Sequence, residues 1–392
     1  MRTNVKSYYD LLDFGLGGAS FQQFVDRFYQ KYNGPQTDGF PWDDEIQLDF
    51  TYEQLEADLG VATLPVYTDI DSPGLYKSFE SFKIGSNKIP PQKHGFALNQ
   101  KILRERMILA QKYGEAALTS ETQDALLSLQ FDSIDKLIAG NYNGLTHQRM
   151  RIVSTGQFTI DANNNPQGIK GVTFDFGIPA GNKEVLSGEN RWWKTDEHTI
   201  ANEGATSDPI KYLKDKYKWA KKSGYPMGHF EMSQDLYDDM LTHSKVLTRI
   251  GHMLYPAAGT DAIALSYAQN LADDAIAAAI TRLVGCPIIP RDSKAMVDKY
   301  DPATRSLKKD WVENFNLLNV AYVPDGQLGT IKTAQHVLTG DPTVRTAFFD
   351  GGRTLITQRF ESQTKSVYVE SEIYALCVPQ VARYMCVYTV TA

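Results

Sequence analysis

Between residues 154 and 179 the chain reads STGQFTIDANNNPQGIKGVTFDFGIP, and Asp175-Phe176-Gly177 within it is the triplet that holds magnesium in protein kinases. That chemistry also needs a glycine-rich loop over the phosphates, a lysine on the third strand and an HRD catalytic loop upstream. None of these precedes Asp175 in workable form. FGLGGAS at 14–20 lacks the Gly-Lys-Ser/Thr ending of a phosphate loop and follows no strand pattern, so it reads as a flexible joint. The histidines offer no metal set. His243 and His252 are nine apart, no HExxH or HxH spacing occurs, and His94, His147, His198, His229 and His336 each stand alone, as structural histidines do. GxSxG is absent, so there is no nucleophile elbow. Asp238 and Asp239 are adjacent on a predicted helix surface and need no catalytic role. Cys286, Cys377 and Cys386 show no CxxC spacing and are too few for a disulfide framework; they read as buried thiols. The sequence therefore predicts no catalytic residue, no cofactor and no metal site, and Asp175-Phe176-Gly177 becomes the end of an alternating strand whose phenylalanines pack.

The elements that place these residues follow from composition and periodicity. A chain of 392 residues with 42% hydrophobic and 22% charged residues is an ordinary folded protein of two or three domains. No run of about 18 apolar residues exists, which predicts no membrane span. The first residues, MRTNVKSYYDLLDF, lack a signal-peptide pattern, so a cytoplasmic site of synthesis is expected. A net charge of −7 argues against condensing nucleic acid by neutralisation. Locally, charge segregates. Residues 32–76 hold Asp38, Asp43, Asp44, Glu45, Asp49, Glu53, Glu56, Asp58, Asp69 and Asp71 and no Lys or Arg. Residues 77–112 then carry Lys77, Lys83, Lys88, Lys93, Lys101, Arg104, Arg106 and Lys112 against Glu80 and Glu105. Two solvated faces are one reading; two extended segments meeting on neighbouring subunits are the other.

Phe21, Phe24, Val25 and Phe28 have helical spacing, with Gly34 as a stop. Residues 64–109 read as a long hairpin turning at Gly85-Ser86-Asn87, whose return cannot be a central strand because of Pro90 and Pro91. A capping-box pattern at Ser120 and Gln123 opens the longest helix, with Leu127, Phe131, Ile134, Ile138, Tyr142 and Leu145 as its stripe. Gly140 and Gly144 weaken or bend it. The hairpin QFTIDA/GVTFDFG comes next, with Val172, Phe174 and Phe176 on one face. SDPIKYLKDKYKWAKKSG, MSQDLYDDMLTHSKVL and NLADDAIAAAITRLVGCP are helices, the first with a solvated lysine face. The tail is rich in Val and Tyr, as strands are.

The order of these pieces resembles the HK97-fold major capsid proteins of tailed phages, and most closely the lambda-type major capsid protein E family. The likeness runs from about residue 60 to the end. It rests on Arg149–Arg151 leading into Thr155-Gly156-Gln157-Phe158-Thr159-Ile160, then Val172-Thr173-Phe174-Asp175-Phe176-Gly177. Trp192 or Trp193, Asp208-Pro209, HFEMSQDLYDDML, Tyr322–Gly326 and Ala375–Pro379 follow in the family's order. NNNPQG and residues 293–315 depart from it.

The resemblance implies an α+β, HK97-like capsid fold: an N-terminal arm at 1–63 and an E-loop at 64–110. A P-domain with a spine helix and hairpin would follow at 111–204, an axial A-domain at 205–345, and C-terminal strands at 346–392 returning to the P-domain. It implies a non-enzymatic subunit that forms hexamers and pentamers of an icosahedral shell around double-stranded DNA, located in the virion and assembled in the bacterial cytoplasm. Portal, scaffold and decoration or cement proteins would be its further partners, with weak non-specific DNA contact on the inner face. An encapsulin-type nanocompartment shell shares the fold, and a soluble enzyme is the alternative from another class. For the assembled shell, the charge pattern predicts contacts between Lys83, Lys88 and Lys93 of one subunit and acidic residues such as Asp43, Asp44 and Glu45 of the next.

Overall fold

The computed structural model describes residues 21–29, 34–35, 37–49, 51–56, 83–98, 120–166, 169–291, 294–303, 306–336, 344–361 and 366–391, with a few single helical residues between 101 and 108. The predicted joint at 14–20 and the first half of the predicted hairpin, 64–82, lie outside the described residues. Helix α1 (Phe21–Tyr29) is short. Helix α2 (Ser120–Thr155) runs unbroken for 36 residues. Ile134, Ile138, Tyr142 and Leu145 on its stripe are buried, while the side chains of Leu127 and Phe131 lie outside the described residues.

One sheet has the order β1 (Trp42–Gln47), β13 (Gly329–Ala334), β16 (Ser366–Pro379), β15 (Thr354–Glu361) and β14 (Arg345–Phe349), and β4 (Pro91–Leu98) also pairs with β16. Only β1 runs parallel to its neighbour. The 14 residues of β16 are long enough to serve two partners on one side. Residues Val367–Tyr374 pair with β4, and Ala375–Pro379 with β13. Helix α2 lies against β16, and Ile373–Pro379 are buried throughout, as an enclosed strand requires. At the far edge, the Gln22 amide of α1 bonds the backbone of Phe348 in β14 in both directions. A side chain there takes the place of a neighbouring strand.

A second sheet has the order β7 (Lys183–Val185), β17 (Cys386–Thr389), β12 (Asn319–Pro324), β8 (Gly228–Ser233) and β9 (Ile288–Arg291). Its strands alternate between two cores. Val320 and Tyr322 of β12, with Cys386 and Tyr388 of β17, face a cluster built from α3 (Pro209–Lys222), α4 (Gln234–Thr242), α5 (Ser244–Leu254) and α7 (Asp273–Val284). Ala321, Val323 and Val387 face the cluster that holds Leu145, Met150, Ile152 and Val153 of α2. The sheet is a wall between the two cores. Helix α6 (Asp261–Ala268) packs on α5.

Local signals set the helix ends. The Asp208 carboxylate accepts from the Lys211 amide at 3.0 Å, with Pro209 at the first helical position of α3. Ser233 caps α4, and Gly285, at φ 92°, ends α7. The predicted helix MSQDLYDDMLTHSKVL is two helices, broken at His243, whose Nδ1 accepts from the Lys245 amide.

Among the described residues three two-stranded pairs lie outside both sheets: a hairpin at 157–175, β2 (Thr51–Glu56) with β3 (Lys83–Lys88), and β10 (Lys294–Asp301) with β11 (Ser306–Glu313). The β2–β3 pair corrects an expectation. Gly85-Ser86-Asn87 is not a turn but lies inside β3, opposite Gln54, Glu53 and Tyr52. Pairing with a distant strand overrides its turn chemistry. The chain then passes through buried Ile89 and Pro90 into β4. As the prolines require, β4 is an edge strand with Pro91 as its first residue.

The glycines of α2 correct another. Gly140 and Gly144 are one turn apart on the helix, and they form a notch for β4. A Cβ on Gly140 would collide with Cε1 of His94, and one on Gly144 would come 3.0 Å from the Gln92 side-chain oxygen. The placements of one strand and of two tryptophans also differ from expectation. Strand β17 closes the second sheet and not the sheet beside the spine, and Trp192 and Trp193 sit in the second core. Alternation explains β17, because it has an apolar residue for each core.

Candidate functional site

The strand β6 (Val172–Asp175) pairs with β5 (Gln157–Ile160), and Phe158 stacks on Phe174 at 6.3 Å between ring centroids. Asp175 Oδ1 accepts from the Gly177 amide at 3.0 Å, and Gly177 has φ 73°. This is an Asx turn that ends the strand. Phe174 and Phe176 are buried, whereas Val172, beside the loop end of the hairpin, is exposed, so the predicted apolar face is two residues long. The three thiols are buried, and burial pushes them up, Cys286 and Cys377 to about 12 and Cys386 to about 11. Thiols so raised are poor nucleophiles.

The predicted charge contacts separate under the structure. Lys93 in β4 pairs with Glu372 of its own chain at 3.0 Å. Asp43 is engaged by Lys332, and that bond holds its carboxyl below the usual range although burial pulls the other way. Asp44 and Glu45 are exposed, as is Lys88. In the backbone register Lys83 lies opposite Glu56 and Lys88 opposite Thr51. The acidic and basic segments therefore meet first within one chain, as strand partners.

The most concentrated polar site lies where α2 meets the second sheet. Arg149 of α2 grips Glu231 of β8 with two bonds, Nη1–Oε2 at 2.5 Å and Nη2–Oε1 at 2.6 Å, and both side chains are fully enclosed. Arg291 of β9 donates to Glu231 Oε1 at 2.5 Å and to Asp38 Oδ2 at 2.7 Å. His229, two residues before Glu231 on β8, faces Glu231 through Nε2 at 3.2 Å and Asp325 through Nδ1 at 2.7 Å. Arg149 Nε also donates to the Asp38 carbonyl at 3.3 Å. Burial alone would raise the Glu231 carboxyl, but Arg149, His229 and Arg291 hold it far below the carboxylate range. It stays ionised at any ordinary pH.

This cluster joins four parts of the chain: the spine helix, the β8–β9 edge, the turn after β12 and the segment before β1. Its geometry suits clamping. All its cations already face carboxylates, leaving no free base or nucleophile. The spacing rules missed it because Arg149 and Glu231 are 82 positions apart. A partial signal did exist at Glu231, a charge between Phe230 and Met232, whereas Arg149, between Gln148 and Met150 with Arg151 two residues on, stands out in no way. Elsewhere, two clefts measure about 420 Å³ each. One lies between the β10–β11 ribbon and the end of α2, lined by Arg151, Lys299, Trp311 and Leu318. Among the described residues no three His, Cys, Asp or Glu side chains assemble as a metal-ligand set.

No family model and no curated protein matches the sequence. Among solved structures, the chain is similar to a phage-related protein from Bordetella bronchiseptica, at 12% identity over 94% of this chain and 96% of that one, with a TM-score of 0.46. It is also similar to the cyanophage A-1(L) capsid, at 11% identity over 89% and 90% of the two chains, with a TM-score of 0.44. The procapsid of satellite phage P4 gives 10% identity, 94% and 99% coverage, and a TM-score of 0.43.

Proposed function

We propose that this chain is a structural shell subunit: a major capsid protein that self-assembles into the icosahedral capsid around the double-stranded DNA of a tailed phage. The observation that carries the reading is the division of the molecule. A 36-residue helix clamps two sheets together, while the β2–β3 and β10–β11 ribbons add to neither sheet. Two-stranded ribbons are marginally stable alone in water. On the second ribbon Met296 and Trp311 face each other and are exposed, Trp311 by 62%. Such extensions make sense on a subunit whose neighbours supply the missing surface. In this reading residues 1–63 are the arm, 64–110 the E-loop, 111–204 the P-domain and 205–345 the A-domain. Residues 346–392 are the closing strands, of which β17 is shared with the A-domain sheet. The role is non-enzymatic, the location is the virion, and portal, scaffold and cement proteins join it during assembly in the bacterial host.

Lys93 and Asp43 already have partners within the chain, so the charge contact between subunits is assigned to the exposed Lys88 against Asp44 and Glu45, with Lys83 of the same strand beside it. Electron microscopy of the purified protein, alone and with its neighbouring gene products, tests the function. Closed shells of hexamers and pentamers that take up DNA are the expected result. A chain that remains a small soluble species in both preparations would sink the reading, and shells filled with cargo protein would replace it with a nanocompartment. Lys83→Glu with Lys88→Glu is expected to lower shell yield while the subunit keeps its circular dichroism; normal yield and salt tolerance would remove the charge contact.

A further inference from the structure

The cluster around Glu231 is balanced in an informative way. Arg149, Arg291 and His229 face Glu231, Asp38 and Asp325, so three cations meet three anions only when His229 carries its proton. Both ring nitrogens of His229 point at carboxylate oxygens, 3.2 Å from Glu231 and 2.7 Å from Asp325. A neutral imidazole has one N–H and one lone pair. Whichever tautomer forms, one carboxylate must then face that lone pair. Glu231 cannot leave, because it is buried and held by two arginines. Asp325, 61% exposed, can.

Asp325 opens the turn 325–329, which is tied at its far end to Gln380 and Val381 through the Leu328 carbonyl and against which residues 37–41 dock. The Asp325 amide donates to the Met227 carbonyl at 2.8 Å. Leu328 and Gly329 both donate to the carbonyl of Gly39, at 2.7 and 3.2 Å. Gly39 has φ 80°, and a Cβ there would come 2.7 Å from Leu328 Cγ, so the two stretches touch at backbone distance. Next to it Phe40 is buried in the α2 core, and Asp38 is the residue that Arg291 and Arg149 hold. Residues 37–41 are thus attached to the cluster through Asp38, to the turn through Gly39 and to the core through Phe40.

We propose that His229 is an acid-closed latch: protonated, it ties the start of the 325–329 turn, and with it the docked 37–41 segment, to the joint between the two cores, and losing the proton loosens both. The charged groups facing it are Glu231 on its own strand, Asp325 on the turn after β12, Arg149 from α2, Arg291 from β9 and Asp38 from the docked segment. Burial alone would lower the imidazole's affinity for its proton, but the Glu231 and Asp325 carboxylates raise it above the ordinary value. The latch is therefore closed at and below the ordinary histidine range and opens as the pH climbs through the raised value. In a shell reading, which the latch does not depend on, it would make the arm's attachment to the body respond to pH.

Amide hydrogen exchange on the full chain at about pH 6 and about pH 8.5, corrected for intrinsic rates, reads this directly. Peptides covering 37–41 and 325–331 are expected to lose about tenfold in protection at the higher pH, the scale of one charge-assisted hydrogen bond. Peptides from α7 should not change. His229→Gln, which cannot titrate, should abolish the difference. Asp325→Asn leaves the imidazole facing one carboxylate and should shrink it by more than half, so this variant carries the test if the first does not fold. Equal protection at both pH values in the wild type, or an undiminished loss in the foldable variant, overturns the latch.

Discussion

The joint and the β10–β11 ribbon use the same chemistry to opposite ends. In the ribbon, Lys294–Glu313 at 2.7 Å, Lys299–Asp310 at 3.7 Å and Lys308–Asp301 pair across two strands, each with its lysine open to water. In the joint, Arg149 and Glu231 pair with almost no exposed surface. Exposed pairs are screened, and holding two long side chains in place costs about what the pair returns. They favour a register and little more. Buried pairs gain little over an apolar replacement, but breaking one leaves an uncompensated charge. The lesson is that charge in this molecule sets geometry where water is excluded and only decorates where it is not.

The sharpest way to break that contrast is Glu231→Ala. It strands Arg149 and Arg291 beside each other, and the expected loss is about 3–5 kcal/mol in the unfolding of the joint, read as a shifted denaturation midpoint. A loss below 1 kcal/mol would mean water enters the site and the two regions are alike. Somewhat smaller is the acid response of the spine. His147 bonds Asn314 at 2.7 Å, and burial pushes its imidazole down to about 4. Because the folded value lies below the unfolded one, stability is complete above about pH 6.5 and falls towards pH 4, by about 3 kcal/mol in all. His147→Gln should remove most of that slope. His94 and His243, which burial lowers as well, slope in the same direction. His229 runs the other way and weakens the joint as pH rises.

Gly140→Ala sharpens the comparison from the packing side. Helix propensity alone predicts a gain of about 1 kcal/mol. The collision with His94, itself bonded to Asn141 at 2.9 Å, predicts a net loss of about 1–2 kcal/mol. Adding His94→Ala should recover much of it in a double-mutant cycle, and additive losses would show that β4 does not sit in the notch. Smallest of all, Lys299→Ala in the ribbon should change stability by less than about 0.5 kcal/mol, and a thermal melt indistinguishable from wild type is the expected record.

Much was legible along the chain. The long helix opening at Ser120, the helix beginning at Asp208-Pro209 and the edge character of β4 are decided by residues within a few positions of one another, and the Phe158–Phe174 hairpin by two strands joined through one loop. Such signals survive in the sequence because the groups that satisfy the backbone are neighbours in it. Tertiary structure decided the rest. Gly85-Ser86-Asn87 became strand because β2 was there to pair with it, and Gly140 with Gly144 became a notch because β4 crosses the helix at that point. Arg149 found Glu231 across 82 residues only because the second sheet packs on the spine. These outcomes depend on which distant surfaces meet, and a free energy shared between two remote segments leaves no local pattern in either.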